Sequence, residues 1–143
     1  MELKPYIRKT NYYETDQMGI IHHSNYIRYF EEARVDFMEQ LGFGYARTEQ
    51  EGVEIAVLEV QCRYKTMVRF GDTICIRLSI KELTPAKMVV GYSIEDAKTG
   101  ELRTTGETLH CFLSGGADKK LVRLNRTLPK LYDLLAACVA EEK

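Results

Sequence analysis

The chain has 143 residues, a length that suits one domain, residues 1–143, with a buried apolar core. Apolar residues make up 45% and charged residues 29% at a formal net charge of -1, so nothing in the composition favours nucleic acid or an anionic membrane surface. The start MELKPYIRKT lacks a signal-peptide apolar core, no run nears the ~18 apolar residues of a membrane span, and Cys62, Cys75, Cys111 and Cys138 form no C-x-x-C, so a cytoplasmic protein with free thiols is expected.

In chain order, YIRKTNYYE (6–14) reads as a first strand. Residues 12–34, YYETDQMGIIHHSNYIRYFEEAR, then set an acid, a glycine, two histidines and a serine-asparagine pair before an apolar run. Tyr26, Tyr29, Phe30, Ala33, Phe37, Met38 and Leu41 recur at steps of three and four, with Arg28, Glu31, Glu32 and Glu39 on the other side. That spacing predicts an α-helix of about seventeen residues, roughly 25 Å long. Ser24 or Asn25 is a natural N-cap, and Gly42 can close the helix in the left-handed conformation.

Four alternating segments follow. VQCRYK (60–65) alternates through Val60, Cys62 and Tyr64, and DTICIRLSIK (72–81) through Ile74, Ile76, Leu78 and Ile80. KMVVGYSIED (87–96) continues through Met88, Val90, Tyr92 and Ile94, and TLHCFL (108–113) through Leu109, Cys111 and Leu113. FGD (70–72), TPAK (84–87) and KTGE (98–101) are short and carry turn residues, too short for parallel crossovers. LPKLYDLLAACV (128–139) reads as a closing helix with Leu131, Leu134, Leu135 and Cys138 inward. The predicted architecture is α+β: a curved antiparallel sheet laid against one long helix, plus a C-terminal helix.

The chemistry gathers before the long helix. Asp16 offers a carboxylate for nucleophilic or general-base work, and Gly19 lets the chain turn tightly. The helix N-terminus behind them presents free N–H groups and about half a positive charge, which together stabilise an oxyanion. An Asp there is equally a turn former and His23 equally a surface or capping residue; Tyr12, Tyr13, Tyr26 and Tyr29 can line a pocket or simply edge the core. His22, His23 and His110 make no metal set, since adjacent side chains diverge and no ligand at helical spacing completes one. Ser24 sits in no G-x-S-x-G elbow, and no phosphate-binding glycine motif occurs.

The string D-x-x-G-x-x-x-H (Asp16, Gly19, His23), followed by N-Y-x-x-Y-F-E-x-A-R (Asn25 to Arg34), resembles the signature of hotdog-fold thioesterases of the 4-hydroxybenzoyl-CoA thioesterase type, including the YbgC-like acyl-CoA thioesterases. YKTMVRFGD (64–72) resembles a second anchor of that family. The resemblance implies a hotdog fold and hydrolysis of an acyl thioester, with Asp16 attacking the carbonyl or activating water. An N–H at or next to His23 would hold the carbonyl oxygen, and His23 would orient substrate or acid. His22 falls where relatives often carry Tyr. It implies no separate cofactor, coenzyme A being part of the substrate, although an acyl carrier protein can replace it. Gly19, Tyr13 and Tyr26 are expected substrate contacts, and Arg63, Lys65, Arg69 and Lys87 are candidates for the CoA phosphates. Assembly as homodimers joined edge to edge, or homotetramers, is implied as well. The alternatives are a hydratase or dehydratase on the same fold and a non-catalytic acyl-thioester-binding module.

Overall fold

The alternating segments build the sheet as expected over most of its area. In the computed structural model, which describes residues 3–139, β1 (Tyr6–Lys9), β2 (Val53–Tyr64), β3 (Thr73–Leu83), β4 (Lys87–Asp96) and β5 (Leu102–Ser114) form one antiparallel sheet in the order β1-β3-β4-β5-β2. Ile74, Ile76 and Ile80 of β3 and Met88, Val90, Tyr92 and Ile94 of β4 are buried on one face. The β4–β5 turn is tied by Asp96, whose Oδ1 accepts the Thr99 and Lys98 amides at 2.9 Å each. Those amides, with the Arg103 guanidinium 3.2 Å away, hold its carboxyl down at about 2. Register shifts at Val57/Glu59, Ile80/Glu82 and Ile94/Glu95 mark the bulges that let the sheet curl.

The predicted long helix, α1 (Ser24–Gln40), lies in that curl and buries Tyr26, Tyr29, Phe30, Ala33, Phe37 and Met38. It ends at Gly42, whose φ of +83° is the left-handed conformation expected there. Phe30 stacks on Tyr92 with ring centroids 4.3 Å apart, directly over Gly106 of β5. A Cβ on Gly106 would stand 2.5 Å from the Phe30 ring, so helix and sheet meet at this distance only because the position has no side chain. Two short helices the periodicity did not single out, α2 (Tyr45–Gln50) and α3 (Leu124–Thr127), precede the closing helix α4 (Pro129–Ala137), in which Leu131 and Leu135 are fully buried. A curled antiparallel sheet around a long helix is the hotdog fold.

Four expectations change. On β5 the inward face carries Thr104, Thr108, His110 and Phe112, while Leu109 and Leu113 lie half-buried on the other side. Thr108 is paired there, bonding to Tyr92 at 2.6 Å and to His110 Nε2 at 2.7 Å, whereas Thr104 Oγ1 and His110 Nδ1 are buried without a partner among the described residues. Val60 and Tyr64 are exposed, because β2 is an edge strand that starts seven residues before the VQCRYK segment. FGD closes no hairpin either. Residues 65–72 carry the chain from β2 across the end of the sheet, past β5 and β4, to β3, with Val68 buried beneath. At the N-terminus the first strand stops at Lys9, and Tyr12–Glu14 form a single 3-10 turn.

Candidate active site

Residues 10–22 cross the end of the sheet beside residues 65–72, and the two segments hold each other. Ile20 pairs with Arg69, the Ile21 amide donates to the Val68 carbonyl at 2.8 Å, and the Thr10 hydroxyl donates to the Arg69 carbonyl at 2.8 Å. Glu14 anchors the crossing from below. Its buried carboxylate accepts the Asn11 amide and Arg8 Nη1, each at 2.7 Å, while Arg8 Nε donates to Glu32 of α1 at 2.6 Å. Burial works against the Arg8 charge, but the bonds to Glu14 and Glu32 outweigh it and raise its pKa. The Glu14 carbonyl accepts the His22 amide at 2.8 Å and Asn25 Nδ2 at 2.9 Å. Asn25 is therefore a strap from α1 to the loop rather than a cap, a role that motif spacing alone did not reveal.

Within this frame Asp16 opens a tight turn. The Gly19 amide donates to the Asp16 carbonyl at 3.1 Å, and the Met18 amide donates to Asp16 Oδ1 at 2.8 Å. Gly19 has φ +76°, the left-handed region that favours glycine. One carboxylate oxygen is thus oriented by the backbone, and Oδ2 has no partner among the described residues. Asp16 stands close enough to the Tyr26 phenol to help raise its pKa, a shift owed first to burial.

The helix start differs from expectation. The N-cap position is His23, which makes no capping bond through its side chain; Ser24 is the first helical residue. The His22 and His23 rings do not diverge but stack, with centroids 4.2 Å apart and planes at 29°. His22 Nδ1 receives the Ser24 amide at 3.2 Å and lies 2.9 Å from Ser24 Oγ, so Ser24 is engaged with His22. The His23 amide has no partner among the described residues, while its carbonyl accepts the Tyr64 hydroxyl at 3.3 Å. Tyr64 in turn packs edge-on against Tyr26 at 4.9 Å.

The other candidates separate into two groups. Tyr13 is exposed and accepts Asn11 Nδ2 at 3.1 Å, and Tyr12 packs on Phe70 at 5.4 Å; Met18 of the same loop and Met67 of the crossing segment are exposed apolar residues as well. Lys65 and Arg69 lie exposed on the crossing segment. Arg63 does not join them. It points to the outer face of the sheet, into a groove of about 450 Å³ that it lines with Gln61, Arg77, Lys81 and Glu107. Lys87 opens β4 at the opposite end of the sheet. Arg103, which the sequence reading did not single out, buttresses the crossing by donating to the Met67 carbonyl at 3.0 Å. Among the described residues no three His, Cys, Asp or Glu side chains gather as a metal set, and no helix is long and apolar enough to cross a membrane.

Comparison with known proteins gives this geometry a context. A family model described as Thioesterase-like superfamily matches residues 11–128. A protein of Aquifex aeolicus, provisionally named an esterase, is 36% identical over 113 residues, 78% of this chain and 85% of its own length. A Helicobacter pylori protein named acyl-CoA thioesterase YbgC is 28% identical over 135 residues, 90% of this chain and 96% of its own. The crystal structure of a DHNA-CoA thioesterase from Staphylococcus aureus superposes with a TM-score of 0.87 at 30% identity, covering 94% of this chain and 89% of that one.

Proposed function

The chain belongs to the Thioesterase-like superfamily of hotdog-fold thioester hydrolases, and on that premise we propose that it is a YbgC-like acyl-CoA thioesterase in which Asp16 carries the chemistry. The observation that supports this most is that two groups on the same hydrogen-bonded loop and helix start have no partner among the described residues: a carboxylate oxygen of Asp16 and the amide of His23 at the N-terminus of α1. One is an electron-pair donor and the other an oxyanion donor, the two requirements of attack on a thioester carbonyl.

In this reading the carbonyl oxygen accepts the His23 amide, whose donor strength is increased by the macrodipole of a 17-residue helix. Asp16 then either attacks the carbonyl carbon, expelling the thiolate and leaving an acyl-aspartyl anhydride for water to open, or takes a proton from the water that attacks. Either route ends in free acid and thiol. Turnover in ¹⁸O-labelled water separates them, because only the anhydride route places label in the Asp16 carboxylate. The His23 imidazole, exposed at the helix start, orients the substrate, and Gly19, Tyr13 and Tyr26 are assigned as further substrate contacts.

CoA is the favoured carrier because the Helicobacter and Staphylococcus relatives are named for CoA thioesters, with an acyl carrier protein as the alternative. Lys65 and Arg69, beside the loop, suit the CoA phosphates better than Arg63 on the outer face. The edge strand β2 exposes Val57, Leu58, Val60 and Tyr64, which supports a homodimer joined through that edge. Four free cysteines suit a reducing compartment such as the cytoplasm. The deciding experiment is thiol release from a panel of acyl-CoA thioesters, with enoyl-CoA hydration followed in parallel. Thiol release with at least one acyl group is expected; hydration alone, or binding without thiol release, would overturn the proposal.

A further inference from the structure

The proposed hydrolysis leaves His22 without a task, yet both its backbone and its ring are held. Its backbone is pinned by the bond from its amide to the Glu14 carbonyl at 2.8 Å and by the Asn25 amide donating to its own carbonyl at 3.0 Å. The ring faces His23 at 4.2 Å, and its Nδ1 lies 3.2 Å from the Ser24 amide nitrogen and 2.9 Å from Ser24 Oγ. A backbone N–H can only donate. Nδ1 must therefore be the acceptor, and the proton of the neutral imidazole must sit on Nε2.

Two consequences follow for the helix start. His23, at the N-cap position, makes no capping bond, so the imidazole of the preceding residue does the cap's work on the Ser24 amide. Because Ser24 is engaged in that way, the donor left without a partner at the mouth of the helix, among the described residues, is the His23 amide. Ring stacking also sets the plane of the His23 imidazole.

We propose that His22 is a positioning residue: its Nε2–H tautomer, locked by Ser24 and stacked on His23, fixes the His23 amide and imidazole in the orientation that the thioester meets. This rests on the thioesterase reading, but the tautomer can be tested without substrate. Long-range ¹H–¹⁵N correlation at neutral pH is expected to show His22 protonated at Nε2; a ring protonated at Nδ1 would overturn the proposal. Three variants then separate positioning from capping alone. His22→Phe keeps a stacking ring without an acceptor, His22→Asn keeps an acceptor without the ring, and His22→Ala has neither.

Backbone amide spectra identify variants that retain the fold. Among those, thiol release by His22→Phe and His22→Ala is expected to lose ~10- to 100-fold in kcat with KM changed less than about twofold, since a misaimed donor costs most in the transition state. Partial recovery of kcat is expected in His22→Asn. Folded variants with wild-type kcat would overturn the proposal, as would a loss of stability fully restored in His22→Asn with no change in kcat for any variant. Should the wild-type protein release no thiol from any acyl-CoA, the thioesterase reading fails, while the tautomer still decides the geometry at Ser24.

Discussion

Glu14 meets different partners with its side chain and its main chain, the first tying β1 to the loop and the second tying the loop to α1. Glu14→Gln keeps an acceptor for the Asn11 amide but removes the charge facing Arg8. It should lower stability by about 1–3 kcal/mol, seen as a lower Tm, because a mostly buried ion pair loses one partner. His110 gives a second residue-level expectation. Burial in the core, with the Arg34 charge nearby, holds its pKa down to about 4, against about 6.5 for an exposed imidazole. Between these values the unfolded chain binds the extra proton, so the contribution is fully present above about pH 6.5 and is lost as pH falls towards 4. Its full size is ~3 kcal/mol. Denaturant unfolding from pH 7 to 4.5 should show a steeper decline in the wild type than in His110→Gln; equal slopes would contradict the assignment. Asp16, Gly19 and His23 could be singled out from the sequence because together they form a string that resembles a family signature, where pattern alone left them open. The bonds of His22, Ser24 and Asn25 could not, because each depends on where the folded loop brings the Glu14 carbonyl and the helix end.

At the scale of elements, legibility followed the simplicity of the packing. α1, β3 and β4 each bury one regular stripe, so periodicity located both the elements and their inward faces. On β5 hydropathy pointed to the wrong face, since Leu109 and Leu113 lie half-buried outside while Thr108 and His110 bond to each other inside. No single-residue scale registers a hydroxyl paired with a ring nitrogen. Gly106 is the test of how closely α1 and β5 meet. A Cβ there would stand 2.5 Å from the Phe30 ring and 2.7 Å from the Gln61 carbonyl oxygen. Gly106→Ala should therefore destabilise the protein by about 1–3 kcal/mol through overpacking, measured by chemical denaturation, although alanine suits a strand better than glycine does.

For the whole molecule, the strand order decides where the candidate site lies. Because β2 pairs with β5 and not with β3, residues 65–72 must cross the end of the sheet, and that crossing gives the Asp16 loop its partner. Short connections in the sequence suggest hairpins and cannot show that one of them joins the two sides of a sheet. The same order leaves β2 as an apolar edge. Light scattering should return about twice the chain mass of 16.5 kDa, or a higher even multiple, and a monomer at micromolar concentration would contradict the proposed edge pairing.

The proposed mechanism rests on one carboxylate. Asp16→Asn keeps an Oδ1 to accept the Met18 amide, so the turn and the fold should survive while the charge is lost. Thiol release from an acyl-CoA that the wild-type protein hydrolyses is the direct measurement. The account predicts a fall in kcat/KM of ~10²–10⁴ with unchanged amide spectra; a folded variant within a few-fold of wild type would contradict it.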